Sequence, residues 1–186
     1  MNKKRWLEIG SGLLLFLTLA GSIGGYSHWK VRRDRATREL IGAMEAYDPQ
    51  AIRDAVLHGA DVRVRTNYRG GPMNVAAVRD DLELLRLLHE HGADPNARDS
   101  RGMTPLLCQP SFRTAELLLS YGADPNATDT NGRSALTNLA LSGDQESVAV
   151  ARLLMEHGAK PRPVDLDAAR KNAGMTALLK GTATKR

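Results

Sequence analysis

Apolar positions in this chain recur every three to four residues and then stop at a glycine. The leucines at 82, 84, 85, 87 and 88 cover one broad face of a helix. Gly92 closes that helix, because glycine takes the left-handed backbone of a helix end without a Cβ penalty. Pro95 blocks continuation, and Asp99-Ser100-Arg101-Gly102 has the composition of a tight turn, so 93–103 is predicted to project as a hairpin-like loop. Thr104-Pro105 then offers a hydroxyl cap and a proline at the first helical position, where its missing N–H is tolerated. Similar patterning predicts helices over 40–46 and 51–57, broken by Asp48-Pro49, another over 73–78, and a closing pair over 164–172 and 175–180.

The pattern is also periodic. His91-Gly92-Ala93-Asp94-Pro95-Asn96-Ala97 returns as Tyr121-Gly122-Ala123-Asp124-Pro125-Asn126-Ala127, with looser copies at His58-Gly59-Ala60-Asp61 and His157-Gly158-Ala159-Lys160. The glycines at 59, 92, 122 and 158 are separated by 33, 30 and 36 residues, a period that indicates stacked supersecondary units. Two short helices and a loop cannot bury an apolar face alone, so each unit must pack on its neighbours. The third unit is three residues short, and Pro110 requires its first helix to stop near Gln109. That leaves Phe112 in an irregular connection, either as a plug for the missing turn or as an exposed anchor. Three extra residues in the fourth unit predict a longer inter-helix turn over 141–147.

Gly102-Met103-Thr104-Pro105-Leu106 and Leu87-Leu88-His89-Glu90-His91-Gly92-Ala93-Asp94-Pro95-Asn96 resemble the ankyrin repeat family, with its Gly-x-Thr-Pro-Leu-His opening and Leu-Leu-x-x-Gly-Ala-Asp-x-Asn ending. The resemblance covers roughly residues 37–162, with a capping piece to about 180. It implies an all-α repeat solenoid, an ankyrin-like stack of helix-turn-helix units with projecting hairpin loops. The units fall at about 37–66, 67–99, 100–129 and 130–162, with a cap at 163–180 and a frayed tail at 181–186. The family's bracing His after Thr-Pro-Leu is Leu107 here, and the other units carry Asn74 and Thr137 at that position, so those braces are expected to be weaker or different.

Ahead of the repeats, Ile9 to Trp29 carries no formally charged side chain, a run of 21 residues that as a helix would be about 30 Å long. With Trp6, Tyr26 and Trp29 at its ends, it predicts a single N-terminal transmembrane helix over 7–29. A membrane-anchored, single-pass protein follows, with the repeats outside the cytoplasm and 30–36 as a basic juxtamembrane linker. Gly21 and Gly25 offer a site of weak self-association between spans. The competing reading makes residues 1–29 a signal segment cleaved near Ala20, leaving a secreted or periplasmic soluble repeat protein.

Composition narrows the function. Aromatics are 4% of the chain, which suits thin layers of small helices. The formal charge of +5 is concentrated at the start, where residues 1–40 hold eight Lys or Arg against three Asp or Glu and the remainder is balanced. A basic overall balance is therefore no argument for nucleic acid, and none is expected as a partner. The single cysteine, Cys108, excludes an internal disulfide and is expected as a small buried filler. His89-Glu90-His91 lacks the spacing that sets two imidazoles on one helical face, and Asp124–Asp129 lacks the glycine of a calcium loop. No phosphate-binding loop, nucleophile elbow or paired cysteines appear. No metal, no cofactor and no enzymatic activity are expected.

What the resemblance implies is a membrane-tethered module that binds a partner protein through a concave face of hairpin tips and first helices. By position these are Asn67, Tyr68 and Arg69; Arg98, Ser100 and Arg101; and Thr130, Asn131 and Arg133, extended by Asn74 and Arg79. The alternative is a structural or stress-protective envelope protein without a discrete partner.

Overall fold

A computed structural model of the chain describes residues 26 and 28–183. Helix α1 covers 28–46 and α2 is Pro49–Leu57. They are followed by α3 (Pro72–Val78), α4 (Leu82–Glu90), a 3-10 turn (Pro105–Cys108), α5 (Phe112–Ser120), α6 (Ala135–Ser142) and α7 (Gln145–Glu156). The chain then forms α8 (Pro163–Ala168), a second 3-10 turn (Ala169–Lys171) and α9 (Ala173–Ala183). The helices lie in two layers. The first helices pack in series, α3 on the 3-10 turn, the turn on α6 and α6 on α8, while the second helices run α2, α4, α5, α7, α9. One apolar cluster threads all of the units, from Leu40 and Met44 through Leu84, Leu118 and Leu154 to Met175 and Leu179. The expected all-α stack of helix-turn-helix units is what forms.

Each unit turns at its glycine. Gly59, Gly92, Gly122 and Gly158 hold φ of +85°, +81°, +85° and +91°, one residue beyond the cap of a second helix. The alanine after each glycine donates its N–H to a carbonyl of the last helical turn, as Ala93 does to Leu88 at 2.9 Å. At three of the four corners the residue before the glycine is a histidine. Its Nδ1 meets the carbonyl four residues back, at 2.6 Å for His58, 2.8 Å for His91 and 3.0 Å for His157. The imidazoles are thus helix caps, and among the described residues no group of three or more His, Cys, Asp or Glu is placed to hold a metal ion.

The irregular units depart from the regular plan in different ways. In the third unit the first helix is a single 3-10 turn; Gln109 ends it in the left-handed region at φ 55°, and Pro110 is buried. Phe112 opens α5 at 37% exposure, so it only partly fills the gap. In the fourth unit the extra residues lengthen the helices, α7 to 12 residues against 9 in α4 and α5. They do not lengthen the turn. Gly143 at φ 69° closes α6, and the Asp144 side chain immediately caps α7 by accepting from Ser147 N at 2.7 Å.

The membrane-anchored reading is corrected here. Among the described residues no helix is long and apolar enough to cross a membrane. Residues 1–25 and 27, which include Gly21, Gly25 and the cleavage position at Ala20, lie outside the described residues. The described helix that follows Trp29 carries Lys30, Arg32, Arg33, Asp34, Arg35, Arg38 and Glu39 and turns Ala36, Leu40 and Met44 into the core of the stack. Segment 30–36, expected as a linker, is therefore part of α1. Arg33 pairs with Asp61 of the first unit and lies 5.3 Å from the Trp29 ring, which in turn is 6.3 Å from Tyr26. The transmembrane helix, the single-pass topology, membrane attachment through 7–29 with its self-association, and membrane localisation are all withdrawn on this finding.

Candidate protein-interaction surface

The hairpins form a ladder along one edge of the stack. Within each hairpin an aspartate or threonine closes the turn. Thr66 and Gly70 exchange backbone hydrogen bonds at 2.8 and 3.0 Å, Asp99 N donates to Met103 O at 3.1 Å, and Asp129 N donates to Arg133 O at 2.9 Å. Between hairpins there is one backbone rung each, Ser100 N to Asn67 O at 2.8 Å and Thr130 N to Arg101 O at 2.9 Å, and Arg162 Nη1 reaches Gly132 O at 2.9 Å. On the opposite corner Asn96 binds both Gly122 O (2.9 Å) and Asp124 N (2.8 Å), and Asn126 repeats this with Gly158 O (3.0 Å) and Lys160 N (2.9 Å). Arg63 stands where these asparagines do, and that earlier junction is joined by an ion pair of Arg65 with Asp94 at 2.6 Å.

The brace position separates the units chemically. Asn74 is buried: its Oδ1 accepts from Gly71 N at 3.1 Å, and its Nδ2 donates to Met103 O at 2.9 Å, tying α3 to the next hairpin. Thr137 accepts from Ser134 N at 3.2 Å and donates to the buried Asp165. Leu107 can do neither, and the Thr104 hydroxyl is left buried without a partner, as is that of Thr114 in α5. An unbonded buried hydroxyl costs free energy that an isosteric methyl does not. Thr104→Val and Thr114→Val are each expected to raise stability by about 1 kcal/mol, read as a higher urea midpoint at unchanged slope; a lower midpoint would show that the hydroxyls are bonded.

The structure distributes the expected site residues unevenly. Asn67, Ser100, Thr130 and Asn131 are exposed at hairpin tips, and Tyr68 is 81% exposed. Arg69 lies 3.6 Å from the Tyr47 ring and reaches Glu45 O at 3.4 Å; Arg79 donates to Tyr47 O at 3.2 Å. Both guanidiniums thereby satisfy carbonyls at the end of α1. Arg98 is spent between units, donating to Gly102 O at 3.2 Å and Thr128 O at 2.6 Å. Asn74 is buried in its brace and is not part of an exposed patch.

Arg101, Asn131 and Arg133 come together. They line a groove of about 360 Å³ between the third and fourth hairpins, with Met103, Leu107, Cys108 and Gln109 of the third unit beneath and Asn138 of α6 at the side. The groove opens where the first helix of the third unit has shrunk to one turn. Its wall residues Met103, Gln109 and Asn138 were not singled out in the sequence, although the three-residue deletion and Pro110 mark the place. Asp129 also borders it, but that carboxylate is turned to its own hairpin, accepting from the N–H groups of Asn131 and Arg133 at 2.8 Å. Burial would raise its pKa, yet these backbone bonds, the Asn131 side chain and the Arg133 charge outweigh burial and hold it below the usual carboxylate range. It is ionised at neutral pH. The Cys108 thiol is pushed up to about 11, mainly by burial, with the Asp99 charge adding and Arg101 opposing. It remains a thiol and donates to Thr104 O at 3.4 Å, so it supplies no nucleophile.

A family model described as ankyrin repeats (many copies) matches residues 74–108. The match covers most of α3, all of α4, the hairpin that follows and the 3-10 turn, so this one repeat is similar to an ankyrin repeat. No curated protein gives a significant match to the chain.

Proposed function

We propose that the chain is a protein-protein interaction module that binds a partner across its hairpin tips and the groove between the third and fourth hairpins. The observation that carries this reading is the groove itself, about 360 Å³ with Met103 and Leu107 inside and Arg101, Asn131 and Arg133 around it. An apolar floor within a polar, arginine-bearing rim has the make-up of an interface hot spot. Tyr68, standing 81% exposed on the neighbouring hairpin tip, adds an aromatic anchor. The tips are held in register by backbone rungs, so a partner would meet a preorganised surface and lose little entropy in ordering it.

The test is a comparison of partners recovered by the full chain and by a Tyr68→Ala/Arg101→Ala double variant. Specific partners are expected to be lost from the variant while it keeps the cooperative melt of the parent, since Tyr68 is 81% exposed and the Arg101 guanidinium, 74% exposed, bonds only one oxygen of Asp99. Retention of every partner by the double variant would refute this surface.

A further inference from the structure

We infer that the groove between the third and fourth hairpins takes an acidic segment of the partner protein, an extended stretch that sets carboxylates on Arg101 and Arg133 and an apolar side chain on the floor between them. This rests on the interaction-module reading and specifies its chemistry. The inference comes from how the charges are used. Both aspartates of the two hairpins are consumed internally. Asp99, whose side chain is 4% exposed, accepts from Arg101 N at 2.8 Å and Met103 N at 2.9 Å; Asp129 accepts from Asn131 N and Arg133 N. The arginines of the same hairpins are exposed. Arg101 is 74% exposed and touches Asp99 only through that carboxylate's second oxygen, at 3.1 and 3.2 Å. The Arg133 side chain has no hydrogen-bond or ion-pair partner among the described residues, its charge acting on Asp129 through space.

A partner at the mouth therefore meets two exposed guanidiniums, that of Arg133 unpaired among the described residues and that of Arg101 beside Asp99, while the carboxylates are occupied by their own hairpins. A guanidinium presents a planar fork that matches a carboxylate, and such charge-assisted pairs are the stronger class of hydrogen bond. The floor adds the second determinant. Met103 is half-buried at the base of the hairpin, Leu107 is buried beneath it, and the protonated Cys108 thiol contributes no charge. Met103 offers an adaptable apolar contact between the two cations. A nucleic acid would bring phosphates to the same arginines, but the groove has no aromatic side chain on which a base could stack.

A selection from a displayed library of random twelve-residue peptides against the full chain tests this, followed by titration of the recovered peptides by fluorescence anisotropy. The expected result is enrichment of peptides with Asp or Glu on both sides of an apolar residue. Their affinity should fall about tenfold or more in Arg101→Gln/Arg133→Gln, and should be unchanged in Arg113→Gln/Arg152→Gln, which removes two exposed charges from the second helices. Gln counterparts of the same peptides should bind as weakly to the parent as the acidic peptides do to the variant. Enriched peptides without acidic residues, or acidic ones indifferent to Arg101 and Arg133, would overturn the inference and leave the interaction module standing. Recovery of no peptide would overturn it as well, and the comparison of captured partners above would then decide the module separately.

Discussion

Replacing Asp165 with alanine is expected to destabilise the stack by about 3 kcal/mol. Asp165 is at 0% exposure in α8, the first helix of the closing pair. Its Oδ1 accepts from the Thr137 and Ser134 hydroxyls and from Arg162 Nη2 at 3.4 Å, and its Oδ2 accepts from Arg162 N at 2.7 Å. The carboxylate is therefore the point where the fourth unit and the closing pair are joined. Removing it leaves the Arg162 N–H and one of the two buried hydroxyls without an acceptor, since the Ser134 and Thr137 hydroxyls lie 3.1 Å apart and one can donate to the other, and orphaned buried donors carry the full desolvation penalty. Asp165→Asn keeps an acceptor and should lose roughly half as much. Chemical denaturation measures both. If Asp165→Ala unfolds within error of the parent, the closing pair is not coupled to the stack through this group.

Gly102→Ala is the second large effect, expected at about 2–4 kcal/mol. Gly102 holds φ +75°, where a side chain is disfavoured, and a Cβ there would stand 3.0 Å from Thr130 N and 3.2 Å from the Asp129 carbonyl carbon. Those are backbone atoms of the next hairpin and cannot swing aside. The substitution must push the third and fourth hairpins apart and break the Thr130 N to Arg101 O rung, so acidic-peptide binding should weaken together with stability. Gly132→Ala provides the contrast. It has φ +76° but nothing within 4 Å of the added carbon, so it should cost only the backbone term of about 1–2 kcal/mol. Equal effects of the two changes would mean that the hairpins are not in close register.

Much of the stack was legible in the residues because its determinants are local. The leucine face of 82–88 and the glycine at each corner act within a turn or two of chain, and the structure places a helix and corners there; at Thr104-Pro105 only a 3-10 turn starts, and the Thr104 hydroxyl, expected as its cap, makes no bond among the described residues. Pro110 likewise announces the truncated first helix. The site was less legible. Asn74 was expected on the binding face because it lies at a first-helix position, but its amide reaches two backbone groups at once, and burial there favours the brace. The N-terminal run was read by hydropathy as a span. Most of that run lies outside the described residues, and the described helix beginning at 28 carries charges along it and packs Ala36, Leu40 and Met44 into the core.

The sequence by itself determined the repeat, its period, the places where each helix closes and the irregularity of the third and fourth units, because glycine, proline and apolar spacing constrain the backbone within a few residues. Tertiary structure alone decided which polar groups are spent and which face outward. Asp99 and Asp129 disappear into their own hairpins, Asp165 becomes a buried junction, Arg98 is taken up between units, and Arg101 and Arg133 are left beside a groove. Asp99 and Asp129 close on residues two and four further along the chain, but Arg98 and Asp165 find partners 30 and 28 residues away, brought within hydrogen-bonding distance only when the units stack. No spacing along the sequence encodes that pairing until neighbouring hairpins are in register.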